Sequence, residues 1–471
     1  MPVILWTDAL VYLLAGVVLA LAWHARGREH LRAPWRRVAR SPMGVASGTL
    51  LAVFLAIGLL DSAHFHPEID REGETGVGPA HSTEVISAFD WAMSPLRERV
   101  EKTYSAPLAT HAYTKETIDL PEGRETRDFP RLRHGGAHLA DPSDRWADIG
   151  RLAGMGLLEG LAVWSLVAAS LVALRAWRRG QGVAASWSEV WRGRTELPWR
   201  AFLLTVGALV MAASLGVSVA ARYHLLGTDK VGQDVLYLAL KSIRTGLVIG
   251  TLSTLVMLPF AIFLGITAGY FRGRADDAIQ YLYTTLNSIP GVLLIAAAIL
   301  MLQVYMANHP DDFESLAARA DMRLLFLSII LGVTSWTGLC RLLRGETLKL
   351  SQIEFIQAAQ AFGVSSLRII TRHILPNVMH IVLITVVLDF SGLVLAEAVL
   401  SYVSIGVDPT TISWGNMINS ARLELAREPI VWWSLAAAFL FMFALVLSAN
   451  LFSDVVRDAF DPRLRGSEGR H

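Results

Sequence analysis

Three sets of residues have types and spacings that could do chemistry. The first is Gln357, Ala358, Ala359, Gly363, His373, Leu375 and Pro376, a string with no strong acid and no nucleophile. Small residues around a glycine permit a tight bend that another surface can approach, so the chemistry on offer is mechanical docking. The second is a pair of carboxylates, Asp389 and Glu397, along one long apolar run. A carboxylate at the centre of a membrane span costs about 2.5–3.5 kcal/mol on insertion scales, so Asp389 is expected to face protein or water. Two readings of it stand: a group lining a polar path that binds a positive charge, or a protonated or helix-paired structural group. The third set is His64 and His66 beside Asp61 and Glu68. These are metal-ligand types, but the segment is irregular, contains proline and lacks helical i, i+4 spacing, so solvated side chains explain them better.

Several chemistries are excluded. Of the 42 Lys and Arg only five are Lys, and none follows a glycine, so no G-K-[ST] phosphate loop exists to hydrolyse ATP. The single cysteine, Cys340, excludes an intramolecular disulfide and reads as core packing. A net charge of +1 gives no overall basic field for nucleic acid. No nucleophile, base and orienting group can be assembled, which argues against a membrane enzyme.

The elements that must position these residues are membrane helices. With 53% hydrophobic and 18% charged residues, the balance is wrong for a soluble globular protein. Nine apolar stretches have the length a hydrocarbon core of about 30 Å demands. They are Val3–Trp23, Met43–Leu60, Leu152–Leu174, Ala201–Ala221, Thr245–Tyr270, Ile279–Met306, Leu324–Leu343, Val378–Leu400 and Ile430–Phe452. The fold class is therefore an all-α polytopic membrane protein. Pro259 and Pro290 are expected to kink their helices. The first stretch has no basic residue before it and carries Asp8, so it reads as a retained anchor and not a signal peptide. Arginines from Arg26 to Arg40, and again from Arg175 to Arg200, assign those segments to the cytoplasm. Nine spans then place the N-terminus outside and the C-terminus inside. Arg222, Lys230, Lys241 and Arg244 fall on the side the count calls external, against the rule.

Four regions follow: two N-terminal spans at 1–60, an extracytoplasmic lobe at 61–150, a third span with a basic linker at 151–198, and a six-span core at 199–471. The lobe is modest in apolar content and scattered with Pro and Gly, so it is expected to pack on the membrane part.

Between the seventh and eighth spans, residues 345–377 read as two short amphipathic helices. Phe355, Ile356, Ala358, Ala359 and Phe362 give the first an apolar face, and Leu367, Ile370, Ile374 and Leu375 serve the second. Gly363 suits a left-handed stop, Ser365 a helix N-cap, and Pro376 an end before the next span. Two apolar faces in so short a loop cannot both be buried within it, so a partner is expected to cover the remainder. The string AAQAFGVSSLRIITR also looks like a DNA-reading helix-turn-helix, with Arg368 and Arg372 on the second helix. Tethering to spans at both ends leaves no room for the third helix that motif needs.

The stretch EFIQAAQAFGVSSLRIITRHILPN resembles the EAA motif of ABC importer permeases, and its extended form looks like the dipeptide and oligopeptide branch. Gln357 stands where Glu is usual and His373 where Ile is usual. HLLGTDKVGQDV from His224, AGYFRG from Ala268, EAVLSY, IGVDP, SWGNM and RDAFDPRLR resemble further family segments in order, over about Trp199 to Arg465. In HLLGTDKVGQDV, Thr228 or Asp229 can cap the helix that follows. The resemblance implies a type I ABC importer fold with a six-helix core, to which Met1–Pro198 adds three spans and the lobe. It implies that the loop forms coupling helices docking on a separate ATPase, with Glu397 an interface or gating residue. It also implies a second permease as heterodimer partner, two ATPase subunits holding ATP and Mg, an external binding protein, and no cofactor in this chain. Asn308–Arg323 is longer than the corresponding loop. The expected function is the permease subunit of an ATP-driven importer for short peptides or related solutes in the bacterial inner membrane. The alternative is an ion-coupled secondary transporter using Asp389, though the paired broken helices of two repeated halves are not evident.

Overall fold

A computed structural model describes residues 2–27, 29–69, 80–81, 84–119, 125–310 and 315–460. In chain order the helices are α1 (Trp6–Arg26), α2 (Glu29–Arg40), α3 (Pro42–Asp61), α4 (Ala88–Ala92), α5 (Ser94–Arg97), α6 (Arg145–Arg179), α7 (Val183–Trp191) and α8 (Trp199–Ala220). There follow α9 (Val235–Phe271), α10 (Gly273–Ser288), α11 (Gly291–Asn308), α12 (Leu316–Leu350), α13 (Glu354–Ala361), α14 (Ser366–Ile369), α15 (Leu375–Tyr402), α16 (Trp414–Glu424) and α17 (Trp433–Phe460). Among the described residues eight helices are long and apolar enough to cross a membrane. The expected stretch outside those eight, Leu324–Leu343, lies within α12. The tail motif from Asp461 onward lies outside the described residues.

Three expected boundaries move. The sixth stretch does not begin at Ile279: α10 ends at Ser288, Ile289 is extended at φ −92°, ψ 127°, and α11 starts after Pro290. The residue before a proline is pushed out of the helical region, so Pro290 separates two helices instead of kinking one. Pro259, by contrast, lies inside α9. Helix α9 begins ten residues before the expected Thr245, because Asp234 accepts from the backbone N–H groups of Leu236 and Tyr237 and caps it. The third boundary, at Pro376, belongs to the elbow described below.

The chain forms two compact units. One is mainly Arg36–Ile243 with Ile412–Ser448; the other is mainly Val3–Trp35 with Arg244–Thr411 and the chain from Ala449. In the first, α8 packs on α6 and α3. Small residues let helices approach closely where there is no water to drive them together. A Cβ on Gly156 would stand 2.7 Å from Ser218 Oγ, and one on Gly160 3.1 Å from Met211 Sδ. Trp164 Nε1 donates to the Leu203 carbonyl at 2.8 Å across the same contact. The lobe adds short antiparallel pairs, Glu116–Asp119 with Glu125–Asp128 among them.

The second unit is built around α12, whose buried face runs from Asp321 through Leu324, Leu331, Trp336 and Leu343 to Thr347. Helix α1 packs on it through Leu10 and Val11. The N–H of Thr7 donates to Asp321 at 3.2 Å, and Arg244 donates to Asp8 at 2.6 Å. In the first unit Lys241 pairs with Asp90 and lies 3.4 Å from Asp61. These pairs account for two of the four cations that broke the orientation rule: Lys241 and Arg244 are neutralised by neighbouring carboxylates and are not free loop charges. Asp61, considered above with the histidines, instead accepts from Ser87 Oγ at 2.6 Å and faces Lys241.

Candidate coupling site

The elbow between α12 and α15 is fixed by three buried isoleucines. Ile356, Ile369 and Ile374 are fully enclosed in one cluster with Met257, Leu339, Leu343 and Val378. Sequence periodicity picks Ile356 and Ile374 but passes over Ile369, which faces inward because the turn at Gly363 rotates the second segment. Gly363 has φ +74°, and a Cβ there would meet no atom within 4 Å, so its requirement is conformational and not one of space. It ends α13 with a Schellman pattern: Val364 N–H donates to the Ala359 carbonyl at 3.1 Å.

Beyond Gly363 the expected second helix does not stop at Pro376. Residues Ser366–Ile369 run through a π-helical turn at Ile370–Ile374 into α15, with Pro376 in its first turn. A wider π turn leaves the proline, which has no N–H to donate, without a broken α-helical bond, so the chain carries through. Ser365 occupies the N-cap position but makes no side-chain cap bond. The elbow is therefore one short helix, α13, and the root of a membrane helix.

The base of the elbow is tied down by polar contacts. Arg344 Nε and Nη2 donate to the two carboxylate oxygens of Asp276 at 2.6 and 2.7 Å. Such a bidentate pair fixes geometry as well as charge. Arg272, in the AGYFRG turn, donates to Ser351 Oγ at 2.8 Å. Asn377 Nδ2 donates to the His373 carbonyl at 2.6 Å, and the His373 ring stands 6.0 Å from that of Phe355.

The outward side is apolar. Phe362 is 87% exposed, Leu367 72% and Phe355 47%. Phe355 and Phe362, expected on a packing face, point away from the cluster. Gln357, Ala358, Gly363 and Pro376 are exposed beside them, while His373 and Leu375 are part-buried. Asp389 is part-buried in α15, and no hydrogen bond or ion pair to it is found among the described residues. Glu397 is fully buried and accepts from Ser401 Oγ at 2.7 Å.

A second polar site, in the first unit, is one that sequence reasoning misses. His224, Asp234 and Glu101 meet in the interior: His224 Nδ1 lies 2.8 Å from Asp234 and Nε2 3.3 Å from Glu101. Glu101 also accepts the backbone N–H groups of Arg133, His134 and Gly135 at 2.9, 2.8 and 3.2 Å. Burial disfavours the imidazolium, but the bonds to Asp234 and Glu101 outweigh it and raise His224 to about 9. Burial likewise works against the Glu101 carboxylate, and the bonds from His224 and the three N–H groups bring it down to about 2. The lobe thus lies directly on HLLGTDKVGQDV. Thr228, a candidate cap by sequence, accepts from the Ser105 N–H at 2.6 Å instead, and Trp433 Nε1 donates to its carbonyl at 2.9 Å. The other candidate, Asp229, accepts from Val231 and Gln233 within its own turn. Nothing local in the sequence marks Glu101, whose partner is 123 residues away.

Comparison with known proteins identifies the family. Residues 261–466 match the family model described as the inner membrane component of binding-protein-dependent transport systems. The chain is 32% identical over 244 residues to the glutathione transport system permease protein GsiD of Pectobacterium atrosepticum, covering 51% of this chain and 73% of that protein. It is 33% identical over 242 residues to the oligopeptide transport system permease protein OppC of Mycobacterium tuberculosis, 51% of this chain and 77% of that one. To the dipeptide transport system permease protein DppC of Bacillus subtilis it is 28% identical over 242 residues, 51% and 69% of the two chains. The elbow lies wholly inside the matched family region, and the chain belongs to the family of ABC importer permeases, the multi-span inner membrane components of binding-protein-dependent transport systems.

Proposed function

We propose that this permease imports short peptides or related solutes, driven by ATP hydrolysed on separate subunits that grip the elbow. The observation that carries this reading is the exposed apolar surface of Phe355, Phe362 and Leu367 standing on enclosed isoleucines. A rigid root with an uncovered apolar crest is what docking to another subunit requires. The family's dependence on a binding protein supports a substrate-delivering partner, and the glutathione, oligopeptide and dipeptide systems of the relatives support the solute class. A second, related permease and two ATPase subunits holding ATP and Mg complete the assembly, and this chain needs no cofactor of its own.

In this reading Gln357, Ala358, Ala359, Gly363, His373, Leu375 and Pro376 form the coupling elbow. Because Ser366–Tyr402 is one continuous run, a push on the elbow reaches Asp389 without a hinge between. Closure of the ATPases would bias the spans between two openings. Asp389 would line the path and hold the positive amino terminus of a peptide, with Glu397 a buried gate element. The arginine-rich segments support an elbow and C-terminus in the cytoplasm and an N-terminus outside. Nothing favours the ion-coupled alternative.

Uptake of short peptides into proteoliposomes holding the whole assembly tests the proposal. Import should require the ATPase subunits and fail for Phe362→Asp. Asp389→Asn should weaken uptake of peptides with a free amino terminus roughly tenfold or more, the scale of a lost charged hydrogen bond. ATP-independent import would refute the coupling, and unchanged uptake in Asp389→Asn would remove its role.

A further inference from the structure

We infer that the arginine-rich end of the first unit binds an anionic phospholipid. Ala39, Val45, Leu197, Pro198, Trp199 and Phe202 line a surface groove of about 230 Å³ at the start of α3 and α8. Every lining side chain is apolar. The space is below the roughly 300 Å³ of a drug-sized site, and suits a stretch of a single acyl chain.

Charge gives the groove its specificity. Arg36 stands three residues before Ala39 on the same helix, so helical spacing brings it to the groove's rim, and Arg40 ends that helix next to Ala39 in the chain. Arg200 follows Trp199. All three are exposed, as are Arg192 and Arg194 in the linker that leads to Pro198. Glu196 is the single acidic residue from Arg192 to Arg200, and Glu189 is occupied by Arg175 at 2.9 Å. The groove opens where two candidate spans, Pro42–Asp61 and Trp199–Ala220, begin. That is the level of lipid headgroups, with acyl chains on one side and water on the other. A phosphate there meets guanidinium groups while its chain enters an apolar slot. The inference concerns a lipid and holds whatever solute is carried.

Native mass spectrometry of the full chain in detergent, with phosphatidylglycerol or phosphatidylcholine added, is the test. The anionic lipid should be retained at least tenfold better. Each arginine near an anionic surface contributes about fivefold, so Arg36→Gln, Arg40→Gln and Arg200→Gln together should lower retention roughly a hundredfold. Arg200→Gln alone should lose about fivefold, a readout that stands if the triple variant does not fold. Ala39→Phe fills the groove and keeps the charges, and should also release the lipid. Equal retention of the two lipids, an undiminished preference in Arg200→Gln, or unchanged binding in Ala39→Phe would overturn the inference.

Discussion

At the elbow, Phe362 and Leu367 are 87% and 72% exposed on a root of enclosed isoleucines, whereas at the seam under the lobe Glu101, His224 and Asp234 are 5%, 2% and 1% exposed. The elbow leaves apolar surface uncovered above a base held by polar contacts. The seam buries charge and satisfies it almost completely. The difference teaches which part of the molecule is finished within the chain and which awaits a partner. Buried, paired charge is costly to separate, so it suits a junction that stays shut. Uncovered apolar surface marks a place for another surface to dock.

The comparison is broken most severely at the seam. Glu101→Ala leaves His224 Nε2 and three buried backbone N–H groups without an acceptor while Asp234 still holds Nδ1, and should cost about 3 kcal/mol, the low end for removing one member of a buried pair. Thermal unfolding should register it as a large fall in midpoint. The pH dependence follows from the same bonds. His224 is raised from 6.5 to about 9, so its contribution is full below 6.5 and is lost as pH rises through 9. Glu101 is lowered from 4.5 to about 2, so its contribution is present above 4.5 and is lost as pH falls through 2. Stability of the first unit should be flat between these limits; a midpoint that changes steeply between pH 5 and 6 would contradict the assignment.

At the elbow the expected losses are smaller in stability and larger in work. Gly363→Val meets no atom but must hold φ +74°, which costs roughly 1–2 kcal/mol. The protein should still reach the membrane, while uptake falls much further than ATP hydrolysis by the assembled complex. Parallel loss of both would mean that the subunits had not docked. Smaller again are two serines that look alike in sequence. Ser413 accepts from the Asn416 N–H at 3.0 Å, whereas Ser365 makes no cap bond. Ser413→Ala should cost about 1 kcal/mol, and Ser365→Ala less than about 0.5 kcal/mol, as denaturant unfolding can distinguish.

The elbow is legible in the sequence because its determinants are local. Gly363, the flanking small residues and the two apolar strings lie within 24 residues, Glu354–Asn377, and their periodicity is visible. Continuity is where the sequence misleads. Pro376 looks like a stop, yet a π turn passes it into α15, and Pro290, which looks like a kink, is a break. The inward face of Ile369 and the outward one of Phe362 depend on how the turn is seated on α9 and α12, which no window of residues encodes. The seam is illegible for a different reason. Glu101 and His224 are 123 residues apart, and a lone Glu in a polar lobe carries no sign that a histidine awaits it. The misplaced cations Lys241 and Arg244 are a clue only to their own partners, the carboxylates of Asp90 and Asp8.

The central claim is that the elbow's crest is open in this chain and covered by a foreign ATPase. It is tested most directly by Phe362→Cys in the otherwise functional permease, where the native Cys340 is buried and silent. A membrane-impermeant maleimide applied to the cytoplasmic face should label position 362 rapidly in the isolated permease and at least tenfold more slowly once the ATPase subunits are bound. Slow labelling in the isolated chain, or equal labelling in the complex, would contradict the account.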